Sequence, residues 1–77
     1  MANLPRPSGK ELVRFLERQG FQVVRVRGSH YFLERGDART TVAVHGNETL
    51  KIGTLRGVLR DIGLSPTEFE AAWTEDS

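Results

Sequence analysis

The stretch "VRVRGSHYFL", residues Val24–Leu33, decides the fold that this sequence predicts. Valines alternate with arginines before a Gly-Ser pair, and a histidine followed by apolar residues comes after it. Alternation with a period of two predicts a strand with two different faces. Gly-Ser between two such runs predicts a two-residue type II′ turn, which needs glycine at its first position. The stretch is therefore predicted to be a β-hairpin with Gly28 as its turn residue and His30 beside the turn.

The segments on either side predict three helices and a third strand. Apolar residues at i, i+3 and i+4 predict the helices, and two Ser-x-x-Glu capping boxes mark helix starts. The predicted elements are helix 1 (Gly9–Gln19, after Ser8), strand 1 (Phe21–Arg27), strand 2 (His30–Arg35), strand 3 (Thr40–His45), helix 2 (around Leu55, Val58, Leu59 and Ile62, ended by Gly63) and helix 3 (after Ser65, with Phe69, Ala72 and the core residue Trp73). This αβββαα order predicts an α+β fold, a three-stranded antiparallel sheet with helices packed on one face.

Length and composition predict one small domain in a reducing compartment. The chain has 77 residues and no cysteine, so no disulfide supports its core. We expect residues 1–77 to form a single domain, with an irregular arm at 1–7 and an acidic helix and tail at 66–77. The apolar runs are too short for a membrane span, and residues 1–10 lack the apolar segment of a signal peptide. We therefore expect a soluble cytoplasmic protein with no membrane partner.

Charge is distributed unevenly along the chain. All 11 basic residues precede position 61, nine of them arginine, whereas five of the 10 acidic residues follow position 60. Because arginine suits bidentate contact with phosphate, the basic body predicts a polyanionic partner, and a solvated charged surface is the alternative. The acidic last helix either adds solubility, repels the polyanion from that side or faces a basic partner surface.

The Gly-Ser turn predicts which hairpin side chains share a face. It sets Arg27 opposite His30 and, three pairs further on, Val24 opposite Leu33. The open face then carries Arg25, Arg27, His30 and Phe32, and the face toward the helices carries Val24, Val26, Tyr31 and Leu33.

The register of strand 3 has two alternatives. A turn at Asp37–Ala38 pairs Leu33 with Val42 and Tyr31 with Val44, and it sets His30 opposite His45. A register shifted by two residues keeps the apolar face and separates the histidines.

The open face offers the groups that RNA cleavage requires. Arginines bind phosphate, an exposed Phe32 can stack a base, and imidazole, with a free pKa of about 6.5, exchanges protons near neutrality. RNA supplies its own nucleophile, the 2′-OH. Without further knowledge, a histidine after a hairpin turn is more often a surface residue, and helix 3 is an alternative cover for Phe32. No metal-ligand spacing is present, so we expect no metal and no cofactor.

Two segments, "SGKELVRFLERQGFQVVRVRGSHYFL" and "TTVAVHGNETLKIGTLRGVLRDIGLS", carry a family resemblance. Their most specific parts are Gly28-Ser29-His30 and the helix entry Gly53-Thr54-Leu55-Arg56. Over residues 8–65 the chain resembles the HicA, or YcfA-like, family of toxin–antitoxin systems. The resemblance implies a fold similar to double-stranded-RNA-binding domains and an mRNA interferase whose catalytic residue is His30. It also implies a HicB antitoxin that covers the site, with DNA contacted only through the toxin–antitoxin pair.

Together, the residues and the resemblance lead to one hypothesis with two alternatives. His30 would act as general base or acid in metal-independent cleavage of single-stranded mRNA. The candidate RNA-binding residues are Arg25, Arg27, Ser29, Phe32, His45, Lys51 and Thr54, and the candidate turn residues are Gly28 and Gly53. A non-catalytic RNA-binding module and an inactive antitoxin-binding protein are the two other functions that fit.

Overall fold

The element order of the protein follows the predicted αβββαα pattern. The structure is a computed structural model that describes residues 4–76, with side chains through residue 75. The elements are α1 (Gly9–Arg18), β1 (Gln22–Arg27), β2 (His30–Arg35), β3 (Ala38–Ala43), α2 (Ile52–Ile62) and α3 (Pro66–Asp76). The strands form one antiparallel sheet in the order β1-β2-β3, which confirms the predicted α+β class. The first three residues of the predicted arm and the last residue of the tail lie outside the described residues.

Both predicted capping boxes are present. At the start of α1, the Ser8 N–H donates to Glu11 Oε1 at 2.9 Å, and the Glu11 N–H donates to Ser8 Oγ at 3.2 Å. Ser65 and Glu68 make the same two bonds, at 2.8 and 3.1 Å, before α3. Gly63, with φ of +72°, ends α2 in the left-handed conformation that glycine adopts without strain. These boundaries depend on local hydrogen bonds, which explains why the sequence predicts them closely.

The first hairpin has its predicted turn. Gly28 has φ of +59°, whereas no non-glycine residue among those described has a positive φ. This combination fits a type II′ turn, with Ser29 at the second position. Arg27 lies opposite His30, and the next two pairs also agree with the predicted register.

A β-bulge changes the pairing earlier in β1. The ladder is interrupted between Val23 and Arg25, so that Val23 rather than Val24 lies opposite Leu33. The predicted inward position of Val24 is therefore wrong, and this side chain is 52% exposed. An extra residue in one strand bends it and moves the following side chains, which simple alternation does not reveal. Val26, also predicted to face the helices, lies on the edge strand and is equally exposed.

The second hairpin differs from the prediction in its turn. The chain turns at Gly36–Asp37 rather than at Asp37–Ala38. Gly36, with φ of +57°, supplies the first position of a type II′ turn, as Gly28 does in the first hairpin. The pairing of β2 with β3 is therefore shifted by two residues, and β3 spans Ala38–Ala43 rather than Thr40–His45.

The shifted register still presents an apolar inner face to the helices. Tyr31 lies opposite Val42, and Leu33 lies opposite Thr40. Thr40 is buried, and its hydroxyl donates to Asp61 Oδ2 of α2 at 3.0 Å. Because the buried hydroxyl has this partner, threonine is tolerated where the first register predicted a valine.

The core lies between the inner face of the sheet and the helices. The buried members from α1, the sheet and α2 are Leu12, Val13, Phe15, Leu16, Leu33, Val42, Leu55, Val58 and Leu59. α3 joins the core through aromatic contacts, since the ring of Phe15 lies 5.1 Å from that of Phe69 and 5.5 Å from that of Trp73. Trp73, predicted as a core residue, is partly buried and packs against this core. The opposite, outer face of the sheet remains free for a site.

The described part of the arm is attached to the loop before α2. Arg6 Nη2 donates to the Leu50 carbonyl at 3.0 Å, and the Leu50 N–H donates to the Pro7 carbonyl at 2.9 Å. Ser8 and Thr49 form an isolated antiparallel bridge. These bonds hold the loop beside the start of α1, close to the end of β3.

Candidate functional site

His30 is the first residue of β2 and lies on the outer face of the sheet. In the ladder it is flanked by Arg27 of β1 and Ala43 of β3. Directly opposed side chains have Cβ atoms about 4.5–5.5 Å apart, so these two are its cross-strand neighbours. The imidazole is exposed, with a guanidinium group on one side and a single methyl group on the other. An anionic ligand can therefore reach His30 and Arg27 together.

Arg25 and Phe32 form the next pair on the outer face. The guanidinium carbon of Arg25 lies 5.8 Å from the centre of the Phe32 ring, within the range of a cation–π contact. Phe32 is half-buried and, two residues after His30 in β2, lies on the outer face, whereas α3 packs against Phe15 in the core. Of the two predicted environments for Phe32, the outer face is therefore the observed one.

The two histidines do not lie opposite each other. Ala43 occupies the position opposite His30, and His45 follows the end of β3. The register that pairs His30 with His45 is wrong, and the predicted alternative that separates them is correct. His45 instead lines a separate cleft beside the end of β3.

This cleft has a volume of about 320 Å³. Its lining comes from the end of β3, the loop before α2 and the first turn of α2, and consists of Ala43, His45, Glu48, Thr49, Leu50, Lys51 and Thr54. Three of the candidate RNA-binding residues, His45, Lys51 and Thr54, are thus brought together although 10 sequence positions span them. Ala43 lines the cleft and also lies opposite His30. The cleft therefore adjoins the outer row, which is the set of outer-face side chains Arg25, Arg27, His30 and Phe32.

α2 begins beside this cleft without a side-chain cap. Lys51 occupies the N-cap position and makes no capping hydrogen bond, whereas serines cap α1 and α3. Uncapped N–H groups at a helix start carry partial positive charge and are available to an acceptor. Gly53 lies in this first turn, and a Cβ there would meet no atom within 4 Å. The helix itself therefore does not require glycine at this position.

Some of the basic residues serve the fold. Arg35 Nη1 donates to the Gln19 carbonyl at 2.7 Å, and its guanidinium carbon lies 4.5 Å from the centre of the Phe21 ring. Arg39 lies 3.6 Å from the Glu34 carboxylate at the other end of the outer face from His30. The basic surface available to a partner is therefore smaller than the composition alone indicates.

A comparison with models of protein families shows to which family the chain belongs. The model of the HicA toxin of bacterial toxin–antitoxin systems matches residues 9–64. The chain belongs to the HicA toxin family. The family resemblance seen in the sequence is confirmed, and a toxin of this kind implies an antitoxin partner.

The matched region contains the whole candidate site of this HicA-family toxin and ends before α3. A search of curated proteins found no match. None of the helices in residues 4–76 has the length and hydrophobicity of a membrane span. The same described residues contain no group of three or more His, Cys, Asp or Glu side chains arranged to hold a metal ion.

Glu48 lines the cleft and is not among the site residues predicted from the sequence. Its N–H donates to the His45 carbonyl at 3.0 Å, which closes a turn between the two residues. Its carboxylate lines the same cleft as Lys51 and lowers the positive charge there. The sequence His-Gly-Asn-Glu at residues 45–48 indicates a turn. Only the position of α2 shows that this turn forms one wall of a cleft.

Proposed function

We propose that this HicA-family toxin is an endoribonuclease that cleaves mRNA without a metal ion, with His30 as the proton-transfer residue. The observation that supports this most directly is the position of His30, an exposed imidazole between Arg27 and Ala43. Imidazole transfers protons near neutral pH, and the neighbouring cation favours an anionic substrate. RNA requires little else, because its 2′-OH is an internal nucleophile.

In the proposed reaction, His30 accepts the proton of a 2′-OH while that oxygen attacks the adjacent phosphorus. The P–O2′ bond forms as the P–O5′ bond breaks, and water protonates the leaving 5′-oxygen. The products are a 2′,3′-cyclic phosphate and a 5′-OH. In the reverse assignment, His30 protonates the 5′-oxygen and water accepts the 2′ proton. In both cases Arg27 would stabilise the charge that develops on the phosphorane oxygens.

The neighbouring nucleotides would bind along the outer row and in the adjoining cleft. Arg25 offers a phosphate contact, and Phe32 offers part of its ring to a base. In the cleft, Lys51 and the uncapped start of α2 favour a phosphate, with the hydroxyl of Thr54 as a further donor. Glu48 lines the same cleft, and its negative charge opposes the binding of a phosphate there.

We propose a HicB-like antitoxin as the protein partner. An antitoxin that covers His30 and the outer arginines would exclude RNA, and family membership supports the existence of such a partner. We place the toxin in the cytoplasm, where its mRNA substrate is found, and we expect DNA contact only through the toxin–antitoxin complex.

Cleavage of a single-stranded RNA by the purified protein in EDTA tests the reaction. We expect cleavage that leaves 2′,3′-cyclic phosphate ends. A matched oligonucleotide with 2′-O-methyl groups throughout should stay intact, because it lacks the nucleophile. Cleavage of the methylated strand, or complete loss of activity in EDTA, would contradict the mechanism.

Binding assays with the same purified protein distinguish the nuclease from the two other functions. A non-catalytic RNA-binding module would bind RNA with an affinity that falls steeply with salt but would leave the strand intact. An inactive antitoxin-binding protein would bind its partner tightly and show no salt-dependent binding of RNA. Growth arrest on expression that disappears with His30→Ala supports the nuclease over both.

A further inference from the structure

A second groove lies on the opposite side of the sheet from His30. Its volume is about 430 Å³, and it is formed by α1, the inner face of β2 and the chain after β3. Its lining includes Lys10, Val13, Arg14, Tyr31, Val44 and Asn47. None of these side chains takes part in the function proposed above.

The polar groups of this groove are not engaged within the described part of the chain. Lys10 and Arg14 lie one helical turn apart on the exposed side of α1, and neither forms an ion pair with a described residue. The Tyr31 hydroxyl and the Asn47 amide likewise make no side-chain hydrogen bond to a described residue. Glu17 also lines the groove, so its lining carries two cations and one carboxylate. Glu11, whose carboxylate accepts from the Ser8 N–H, lies in the adjoining recess.

The groove lies directly behind the candidate catalytic residue, on the other face of the sheet. Tyr31 follows His30 in β2, and Val44 follows Ala43, the residue that faces His30. Successive strand residues point to opposite faces of a sheet, so the groove lies behind the His30 position.

Residues 43–47 form a rim between two recesses. Ala43 and His45 line the 320 Å³ cleft, whereas Val44 and Asn47 line the groove. The Val44 N–H donates to the Ser29 carbonyl at 2.7 Å, which ties the rim to the first hairpin turn. A single strand that leaves the outer face at the end of the sheet would cross this rim and enter the groove.

We propose that the groove binds one nucleotide of the RNA strand next to the cleaved bond, an inference that rests on the proposed ribonuclease function. Tyr31 and Val44 offer an apolar surface to the base, and the Asn47 amide can hydrogen-bond its edge. Lys10 and Arg14 contact the phosphate of the same nucleotide. Lys10 and Arg14, which form no ion pair with any residue among 4–76, lie beside an aromatic ring and an amide. This combination offers contacts to both the phosphate and the base of a nucleotide, so we infer a nucleotide rather than a segment of the antitoxin, the other class of occupant.

Binding of a fluorescent single-stranded RNA tests the groove, with His30→Ala as the background so that the probe stays intact. The groove variant is Lys10→Ala/Arg14→Ala. Its control is Arg56→Ala/Arg60→Ala, which removes the same charge from the exposed side of α2, outside the groove. We expect the groove variant to weaken binding by about tenfold and to lower the slope of log Kd against log salt by about 0.7 per lost phosphate contact. The control variant should weaken RNA binding by less than about threefold, because it removes charge without removing a phosphate contact in the groove.

A second variant tests the base contact. Asn47→Ala should change the relative affinities for homopolymers of the four bases while the salt slope stays the same, because the amide carries no charge. Melting curves of each variant verify that the fold is kept.

The outcomes separate this inference from the proposed function. If the groove and control variants weaken RNA binding equally, the groove does not bind a nucleotide. The proposed nuclease function would still hold, provided that the protein with His30 intact cleaves RNA. Unchanged RNA affinity with lost antitoxin affinity would overturn it as well, because the occupant would then be a protein. A protein with His30 intact that neither binds nor cleaves RNA would overturn both.

Discussion

His30 lies directly opposite Ala43 in the β2–β3 ladder. A Cβ added at Gly9, the buried first residue of α1, would overlap the carbonyl oxygen of that same Ala43. The start of α1 therefore packs directly on the strand residue that faces the candidate catalytic histidine. Close packing at this point connects the stability of the fold to the geometry of the site.

Gly9→Ala should destabilise the protein. The added methyl group has no space, and overpacking of this kind costs about 1–3 kcal/mol. For a domain of this size, each kcal/mol lowers the Tm by about 4–8 °C. Thermal unfolding followed by circular dichroism measures the change.

Gly57→Ala is the matched control for this substitution. Gly57 lies inside α2, and a Cβ there would meet no atom within 4 Å. Alanine should therefore stabilise the helix by about 0.5–1 kcal/mol. A Gly9→Ala variant that melts as high as the Gly57→Ala variant would show that α1 can move away from Ala43 at no cost.

Arg27→Ala should weaken RNA binding, because Arg27 is the cation next to His30. We expect the salt slope of binding to fall by about 0.7 for one lost phosphate contact. Arg39→Ala is the control, since Arg39 lies on the same outer face but pairs with Glu34 at the other end of the sheet. Fluorescence anisotropy at several salt concentrations measures both variants, and equal slopes would argue against a specific phosphate contact at Arg27.

Helices and caps were predictable from the sequence because their signals are local. The Ser8 and Ser65 boxes each satisfy backbone groups within four residues, and Gly63 ends its helix by its own conformation. The second hairpin was harder, because the apolar alternation of β3 fits either of two registers separated by two residues. The deciding signal was glycine at the first turn position, Gly36, which the first hairpin had already illustrated with Gly28.

The candidate site was predictable only where it lies on one hairpin. The turn at Gly28 fixes Arg27 and His30 as neighbours, so this pair follows from the sequence. The cleft that joins His45 to Lys51 depends on where α2 packs, and the groove at Tyr31 depends on α1. Alternation in a strand carries no information about either packing.

The stability of α3 should depend on pH through Glu68. The hydrogen bond from the Ser65 backbone, followed by that from its hydroxyl, holds the pKa of the Glu68 carboxyl below its ordinary value of 4.5. The carboxylate therefore contributes stability that is present above pH 4.5 and is lost as the pH falls through the lower, folded-state value. Glu68→Gln should melt below the unsubstituted protein at pH 7, and this difference should shrink toward pH 3. A difference that grows on acidification would contradict the capping role.

The central claim is that His30 transfers the proton in RNA cleavage. The direct measurement is the single-turnover cleavage rate at saturating RNA, in EDTA, for His30→Ala and for its control His45→Ala, the other histidine of the chain. Loss of a general acid or base costs about 10²–10⁴ in rate, so His30→Ala should fall by at least about 100-fold. His45→Ala should bind RNA more weakly but cleave bound RNA within about tenfold of the original rate. A residue that only binds the substrate contributes little to the rate of the chemical step at saturating RNA. A His30→Ala protein that cleaves as fast as the unsubstituted toxin would contradict the account.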